Sequence, residues 1–313
     1  NKERWLADRK ADLLDIPYFH NVFTLPHELN AMILCNKEVL LNILFATVSQ
    51  TLQAFARDPK HKLQGQLGFI AVLHTWDQRL LDHFHLHGLI PAGVLAANGN
   101  RFIKAKPNFL FPVKAISKVF RGKFIAALKK TYAANQLSFP GKTAPLGTQE
   151  GFESLIKKLW NKDWVVYSKQ PFAGPQQVLD YLGRYTHRVA ISNHRILSVT
   201  DDKVSFAYRD RQHDNQSKVM TLEAREFIRR FLLHFLPKGF VKIRHFGFLA
   251  NRNRKQNIAS CRELLGDTFD TEPTEKLSVR DFMLHATGVD ILKCPQCKTG
   301  TLFRSVELEP RPP

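Results

Sequence analysis

Apolar residues recur along the chain with two spacings, one typical of strands and one typical of helices. Residues 18–25 are rich in β-forming side chains between two prolines, and residues 67–76 are too continuously apolar for an edge strand. Helical spacing is clearest in residues 26–58 and 114–135. The same criteria predict helices over 1–14, 148–162 and 222–236 and strands over 164–168, 195–199, 203–208 and 218–221.

Histidines stand at every second position of a further predicted strand, residues 82–91, which returns beside 67–76 as its antiparallel partner. Side chains two apart on a strand share a face, so His83, His85 and His87 form one row. Imidazole binds divalent metals well, and two imidazoles at this spacing can hold one ion. The row therefore predicts a metal site, and the alternative is a set of solvated or structurally buried histidines.

A metal held by two histidines needs a further oxygen or nitrogen donor while some positions stay open for substrate. Gln78 is the first candidate, because it leads into the turn between the two strands. His83 and Asp77 come after it. An ordinary turn residue that hydrogen-bonds to the backbone would explain Gln78 equally well.

A second candidate site lies in residues 174–188, of which 175–188 are predicted to be helical, with Pro175 at the first position. Tyr181 and Tyr185 are four residues apart and share a helix face. Arg184 and Arg188 flank that face, so two phenols and two guanidinium groups could converge. The alternative is a pair of amphipathic tyrosines at the edge of the core.

The chain of 313 residues is strongly basic, with 46 Lys and Arg against 28 Asp and Glu, a net charge of +18 and a pI near 9.9. Such a charge favours nucleic acid as the partner. A membrane is the rival, but we expect no apolar run near the roughly 20 residues that span a bilayer. No signal peptide is evident, and four cysteines do not form a disulfide framework, which predicts a cytoplasmic protein. Because the sequence opens on Asn1, we expect it to start inside a longer protein or a processed form.

Aromatic and basic residues alternate in residues 238–248, where phenylalanines could stack on unpaired bases while cations meet phosphates. A packed turn whose cationic side chains extend to solvent is the alternative. Together with the two arginines beside the tyrosines, the candidate DNA-binding residues are Arg184, Arg188, Lys242, Arg244, Arg252 and Arg254.

Cys294 and Cys297 have the spacing of one half of a zinc site. Tetrahedral zinc needs four ligands, and His285 and Cys261 are candidates for the others, although their spacing is not diagnostic. A Zn²⁺ ion is therefore a second candidate cofactor.

The metal, the tyrosines and the positive charge together suggest one reaction. A metal polarises a scissile phosphate in single-stranded DNA, and a tyrosine oxygen attacks the phosphorus to leave a covalent protein–DNA link and a free 3′-hydroxyl. Two tyrosines would allow two successive strand transfers.

The motifs that carry this chemistry resemble the two-tyrosine HUH transposases of rolling-circle insertion sequences. The histidine, bulky hydrophobic residue, histidine motif is matched by His85-Leu86-His87, and the tyrosine motif by residues 181–192. Residues 23–29, 72–76 and 243–247 are also similar, in the family's order along the chain.

The resemblance implies an α+β fold in which a central antiparallel sheet carries the histidines and is packed by helices, with further helical and β segments toward the C-terminus. It implies Mg²⁺ or Mn²⁺ bound by His85 and His87, and Tyr181 and Tyr185 as nucleophiles. The partners would be single-stranded DNA at insertion-sequence ends and target DNA, in the bacterial cytoplasm at the nucleoid and with no membrane. We expect a catalytic domain over 1–192, a basic DNA-binding region over 193–285 and a tail with the cysteine pair over 286–313. Family members generally begin with a cysteine-rich zinc module, which we do not expect in this chain.

Three other readings remain at this point. A plasmid relaxase or replication initiator would share the active site but not the motifs outside it. A non-catalytic DNA-binding remnant would bind DNA with a steep salt dependence and form no adduct. A cupin-like metalloenzyme would normally add a distant histidine or carboxylate, and would leave the charge unexplained.

Overall fold

The computed structural model describes residues 13–172, 174, 177–178, 181, 183, 190–210, 213–266, 278, 280–281, 283–284 and 288–303. Its strands are β1 (Tyr18–Thr24), β2 (Gly65–Gln66), β3 (Phe69–Trp76), β4 (Asp82–Pro91), β5 (Gly93–Ala96), β6 (Phe102–Lys104), β7 (Val166–Phe172), β8 (Ile196–Val199), β9 (Lys203–Asp210), β10 (Gln216–Glu223) and β11 (Ile243–Phe246). Its α-helices are α1 (Asn30–Cys35), α2 (Lys37–Arg57), α3 (Val113–Ala133), α4 (Gln149–Asn161), α5 (Ala224–Leu233) and α6 (Arg254–Leu265). Short 3₁₀ helices cover His27–Leu29, Pro59–His61, Gly141–Gly147, Asn193–Arg195 and Gly247–Leu249.

The central sheet has five strands in the order β11-β3-β4-β1-β7, and each neighbouring pair is antiparallel. The histidine strand β4 is the middle strand, so both of its edges are paired and its backbone is fixed. The α+β fold with a central antiparallel sheet, expected from the family resemblance, is confirmed. Two smaller sheets have the orders β10-β9-β8 and β2-β5-β6.

The two faces of the central sheet differ in what covers them. Phe84, Leu86 and Ile90 point into the larger hydrophobic core, which also receives apolar side chains of α2, α3 and α4. Leu89, on the opposite face of β4, belongs to a second core to which Val178 contributes. Since side chains alternate along a strand, His85 and His87 share the face of Leu89. The histidines therefore lie on the face of the sheet that is covered by Val178 of residues 174–188, the tyrosine segment.

The predicted helix over 26–58 is divided in the structure into a 3₁₀ turn and two α-helices, α1 and α2. The break is at Asn36, whose side-chain amide donates to the carbonyl oxygens of Met32 and Ser138 and whose Oδ1 accepts from the backbone N–H of Ser138. Asparagine competes with the helix for backbone groups in this way. The partner is 102 residues away in the chain, so the local pattern does not reveal the break.

α2 is long and apolar enough, with a mean hydropathy of 1.5, to meet the length and composition of a membrane-spanning helix. The expectation that no segment reaches this length and hydropathy was wrong. More than half of this apolar stretch is buried inside the protein, in the larger core. α2 is thus a core helix in this structure.

The other predicted elements match closely, and three observations add to them. The predicted helix over 1–14 lies almost entirely outside the described residues. α6 follows the alternating aromatic and basic residues 238–248, and its Ile258 and Cys261 pack into the second core. β11 adds a strand to the central sheet from residues beyond 192, so the central sheet includes residues on both sides of the predicted domain boundary. The boundary at 192 stays a prediction.

Candidate metal and tyrosine site

Three histidines converge on the face of the sheet that carries Leu89. His74 on β3 lies directly opposite His85 on β4, and His87 follows two residues later on the same strand. One ring nitrogen from each of the three lies within 4.8 Å of the corresponding nitrogens of the other two. The cluster is largely buried and could hold one metal ion. The predicted ligands His85 and His87 both lie in this cluster. That these two residues bind a metal stays a prediction, and the identity of the metal is left open.

The hydrogen bonds of two of these rings indicate which nitrogen faces the cluster. His85 Nδ1 lies 2.8 Å from the carbonyl oxygen of His83, and His87 Nδ1 lies 2.7 Å from Nε2 of His20. A carbonyl can only accept, so His85 carries its proton on Nδ1 and keeps the lone pair of Nε2 for a metal. Orientation of a ligating imidazole through its second nitrogen is a general feature of metal sites.

The cluster is electrostatically suited to bind a cation because the imidazoles of His74 and His87 are kept neutral near pH 7. Burial, together with the charges of Lys242 and His20, lowers the pKa of His74 to about 3. Burial also lowers the pKa of His87 well below its usual range, helped by the neighbouring histidines and Lys169. The neutral imidazole is the metal-binding form. The donor set therefore fits a divalent ion.

Tyr181 lies beside this cluster. Its ring centroid is 4.7 Å from that of His20, in an edge-on arrangement, 5.7 Å from that of His87 and 6.0 Å from that of Phe172. Gln177, Val178, Tyr181 and Gly183 are helical, as expected for this segment. The structure thus brings one of the two predicted nucleophiles next to the predicted metal ligands.

Tyr185, Arg184 and Arg188 lie outside the described residues. Their roles as second nucleophile and as DNA-binding residues stay predictions.

Gln78, the first sequence-based candidate for a third ligand, has other contacts. Its Oε1 accepts from the backbone N–H of Arg209 at 3.4 Å, and its carbonyl accepts from the guanidinium of Arg195 at 2.6 Å. It lines a cavity of about 240 Å³ with His83 and residues of β9. These contacts do not support metal binding by Gln78, which stays a prediction; the third converging imidazole is that of His74.

The next two candidates are also engaged. Asp77 Oδ1 accepts from the backbone N–H groups of Arg79 and Leu81 and so stabilises the turn. The ring of His83 is 4.7 Å from that of His85, and its carbonyl is the acceptor described above.

His74 and His20 were missed by sequence reasoning. His74 falls within a predicted strand and within a family-like segment, but a histidine in an apolar strand gives no signal by itself. Antiparallel pairing of the two predicted strands could have revealed His74, because a register with His74 opposite His85 places both side chains on one face. His20 required the pairing of β1 with β4, two strands distant in sequence.

The predicted DNA-binding residues beyond the tyrosine segment have different surroundings. Lys242 is half-buried beside β3, where its carbonyl accepts from the backbone N–H of Leu73, and burial lowers the pKa of its ammonium group. Arg244 is packed against Phe45 and hydrogen-bonded to Asn42. The last two are Arg252, which is exposed, and Arg254, whose guanidinium donates to Asn251.

The cysteine pair forms a compact turn of its own. The backbone N–H of Cys294 donates to the carbonyl oxygen of Gly300, and the carbonyl oxygen of Cys294 accepts from the backbone N–H of Lys298. The N–H of Gly300 also donates to Sγ of Cys297 at 3.3 Å. His285 lies outside the described residues, and Cys261 is buried in the second core. Zinc binding by Cys294 and Cys297 stays a prediction.

Comparison with known proteins places these features in a family. A family model described as "Putative transposase" matches residues 68–257, which include the histidine cluster and the tyrosine segment. The chain is 44% identical over 304 residues to "Putative transposase y4qJ" of Sinorhizobium fredii, covering 96% of this chain and 76% of that protein. The chain belongs to this transposase family.

A second curated relative is the transposase for insertion sequence element IS801 of Pseudomonas savastanoi pv. phaseolicola, 28% identical over 304 residues, with 96% of this chain and 70% of that protein covered. Among solved structures, the conjugative relaxase TrwC in complex with mutant oriT DNA matches at 14% identity and a TM-score of 0.29, covering 78% of this chain and 72% of that one. TrwC complexed with a 27-mer DNA that comprises the recognition hairpin and the cleavage site matches at 12% identity and a TM-score of 0.30, covering 78% and 73%. TM-scores this low do not establish a shared fold.

Proposed function

We propose that this protein is a transposase that cleaves and rejoins single-stranded DNA at the ends of an insertion sequence through a tyrosine nucleophile. The observation that carries the proposal is the position of the Tyr181 ring, in contact with His20 and His87 at the edge of the three-histidine cluster. A phenol beside a cation site is what phosphoryl transfer to tyrosine requires.

In the proposed reaction, the Tyr181 oxygen attacks a backbone phosphorus. The phenol gives up its proton as its oxygen bonds to phosphorus, the bond from phosphorus to the 3′-oxygen breaks, and the leaving oxygen takes up a proton to become a 3′-hydroxyl. A divalent ion held by His74, His85 and His87 would neutralise charge on the scissile phosphate. The phosphodiester energy is conserved in the 5′-phosphotyrosine, so a second 3′-hydroxyl can reverse the step without ATP.

Mn²⁺ fits the cluster better than Mg²⁺ does. Mg²⁺ prefers oxygen ligands, whereas three imidazoles form an all-nitrogen set, and Mg²⁺ also dehydrates reluctantly. We therefore propose Mn²⁺ or another transition ion, while Mg²⁺ remains the weaker candidate.

The basic residues support DNA as the partner. Lys242 carries its charge next to His74, and its ammonium group could meet a phosphate of the strand that enters the site. Tyr185 would serve as the second nucleophile and Arg184 and Arg188 as phosphate contacts. We propose that the partners are the element ends and the target strand, and that the protein acts in the bacterial cytoplasm at the nucleoid.

The test is formation of a covalent adduct. A pool of single strands of random sequence, labelled at the 3′ end, is incubated with the protein and Mn²⁺, with and without chelator, and the mixture is denatured in detergent. The 3′ label is required because a 5′-phosphotyrosine keeps the downstream fragment on the protein. We expect a chelator-sensitive labelled protein band with single-stranded DNA and a much weaker band with intact duplex.

The decisive variant is Tyr181→Phe combined with Tyr185→Phe, which removes both hydroxyls and should abolish the band. Tyr167→Phe is the matched control, because Tyr167 is an exposed tyrosine on β7 of the same sheet. A band that persists in the double variant would show that the nucleophiles are wrongly assigned. Tight, salt-sensitive DNA binding without any adduct in the unaltered protein would favour a DNA-binding remnant.

A further inference from the structure

His20 lies between the histidine cluster and Tyr181, yet it is not one of the three converging ligands. It stands on β1 opposite Leu89 of β4, two residues beyond His87 on that strand, so its side chain shares the face of the cluster. Only 1% of its surface is exposed. A buried imidazole at this place needs a physical reason, because burying a polar ring without hydrogen bonds costs free energy.

The reason is its hydrogen bond with His87. His20 Nε2 and His87 Nδ1 are 2.7 Å apart, with ring centroids at 5.0 Å and an interplanar angle of 26°. One proton lies between these two nitrogens. If His87 Nδ1 carries it, His87 Nε2 has a lone pair for a metal. If His20 Nε2 carries it, the neutral His87 must hold its own proton on Nε2, and the metal position is blocked.

The surroundings hold the His20 ring in place. Phe172 stacks on it with centroids 5.7 Å apart, and Tyr181 contacts it edge-on. The ring is therefore confined to a slot between β7, β4 and the tyrosine segment. For His85, the hydrogen-bond partner of Nδ1 is instead the backbone carbonyl of His83.

We propose that His20 is the positioning residue of the metal site, accepting a hydrogen bond from Nδ1 of His87 so that Nε2 of His87 faces the ion. His83 thus orients His85 through its backbone carbonyl, and His20 orients His87 through its side chain. The proposal rests on the proposed function, since it takes the cluster to be a metal site. It assigns a role to a residue of β1, outside the segments that bear the metal ligands and the tyrosines.

The first test needs no substitution. Long-range ¹⁵N–¹H NMR spectra of the metal-free protein, uniformly labelled with ¹⁵N and held near pH 7, report which nitrogen of each neutral histidine is protonated. We expect His87 to be protonated on Nδ1 and His20 to be unprotonated on Nε2. A His87 ring protonated on Nε2 would overturn the proposal.

The second test measures Mn²⁺ affinity by calorimetry or electron paramagnetic resonance, without DNA. His20→Leu fills the slot but cannot accept a hydrogen bond, and we expect affinity to fall by about 10–100-fold, the usual cost of losing such an outer partner. His20→Gln offers an amide oxygen near the position of Nε2 and should recover most of that loss. Unchanged affinity in a folded His20→Leu protein would refute the role.

His61→Leu is the matched control, because His61 is also packed against aromatic rings, those of Phe55 and Phe111. It should bind Mn²⁺ as the unaltered protein does. Both readouts are independent of DNA, so failure of adduct formation would count against the proposed function alone. A wrong tautomer or an unaffected Mn²⁺ affinity would count against His20 alone.

Discussion

His74 and His85 face each other directly across the β3–β4 hairpin, with ring centroids 5.2 Å apart. Directly opposed residues in an antiparallel pair are the closest side-chain neighbours that a sheet provides. Both strands are interior strands of the five-stranded sheet, so the backbone of neither histidine can move without disturbing paired strands. The hairpin therefore holds the two nitrogens in place before an ion arrives, which reduces the cost of ordering them on binding.

The first prediction concerns the composition of the metal site. His74→Ala should lower Mn²⁺ affinity at least about tenfold, as should His85→Ala and His87→Ala, because each removes a direct ligand. Isothermal titration calorimetry on the metal-free proteins measures this effect.

Gln78→Ala is the comparison that decides the third ligand. Its side chain is bonded to the backbone of Arg209, so its loss should leave Mn²⁺ affinity unchanged. A large loss with Gln78→Ala and none with His74→Ala would mean that the site rearranges to use the turn residue.

The histidine row on β4 was predictable because strand periodicity alone determines which side chains share a face. The convergence of His74 with them was not, because the register of a hairpin depends on the conformation of its turn. Here residues 77–81 contain Leu80 at a positive φ of 60°, and the pairing shifts between His74 and Trp76. Neither feature is visible in the sequence, and without them His74 is one more residue in an apolar strand.

The basic segment shows a second limit. Alternating phenylalanines and cations in residues 238–248 predicted a DNA-binding surface, which stays a prediction. The Arg244 guanidinium lies over Phe240 of the same segment and also over Phe45, which lies about 200 residues earlier. A cation that packs on the core and a cation that meets a phosphate have the same local sequence. Only tertiary contacts separate them.

Arg244 and Arg252 should therefore respond differently to replacement. The Arg244 guanidinium lies 4.1 Å from the ring centroid of Phe45 and donates to Oδ1 of Asn42 at 2.7 Å. Arg244→Ala should lower the free energy of unfolding by about 1–3 kcal/mol, because it removes the hydrogen bonds to Asn42 and Val241 and the cation–π contacts with Phe45 and Phe240. Urea denaturation followed by circular dichroism measures this.

Arg252→Ala is the matched variant at an exposed position. It should change stability by less than about 0.5 kcal/mol. If Arg252 contacts a phosphate, the variant should bind single-stranded DNA more weakly, with a salt slope reduced by about 0.7. Equal destabilisation by the two variants would contradict the distinction.

Stability should depend on pH through the buried imidazoles. The pKa of His20 is lowered to about 4 by burial and by Lys169, and the pKa of His74 is lowered to about 3, against 6.5 for an unperturbed ring. The unfolded chain therefore binds protons on these histidines at a pH where the folded protein does not. The free energy of unfolding of the metal-free protein should fall as pH drops from about 6.5 to about 4, by up to about 1.4 kcal/mol per pH unit for each histidine.

Urea denaturation at several pH values in this window, with chelator present, measures the slope. His74→Asn removes one of these buried imidazoles, and its slope should be smaller by up to about 1.4 kcal/mol per pH unit. Carboxylates titrate equally in both proteins, so the difference isolates His74. Identical slopes would mean that His74 is protonated as readily in the folded protein as in the unfolded chain.

The last prediction concerns the thiols. Hydrogen bonds from the backbone of Gly300 and Thr299 and from the side chains of Thr299 and Cys294 lower the pKa of Cys297 to about 7, whereas burial raises the pKa of Cys261 to about 11. The thiolate is the reactive form, and Cys297 is exposed while Cys261 is fully buried. Iodoacetamide at pH 7.5 should therefore modify Cys297 at least about tenfold faster, as measured by peptide mass spectrometry.

The same assay tests the predicted zinc site. If Cys294 and Cys297 bind Zn²⁺, added Zn²⁺ should slow alkylation of both, because a metal-bound sulfur has its lone pair engaged. Cys35 is exposed at the end of α1 and is the internal control, whose rate should not change. Equal alkylation of Cys297 with and without Zn²⁺ would show that the cysteine turn does not bind zinc in this chain. If Zn²⁺ protects only Cys294 and Cys297, the remaining zinc ligands are other residues of this chain, a second copy or solvent. Unaltered protection in a Cys261→Ser variant would exclude the buried Cys261 thiol as a zinc ligand.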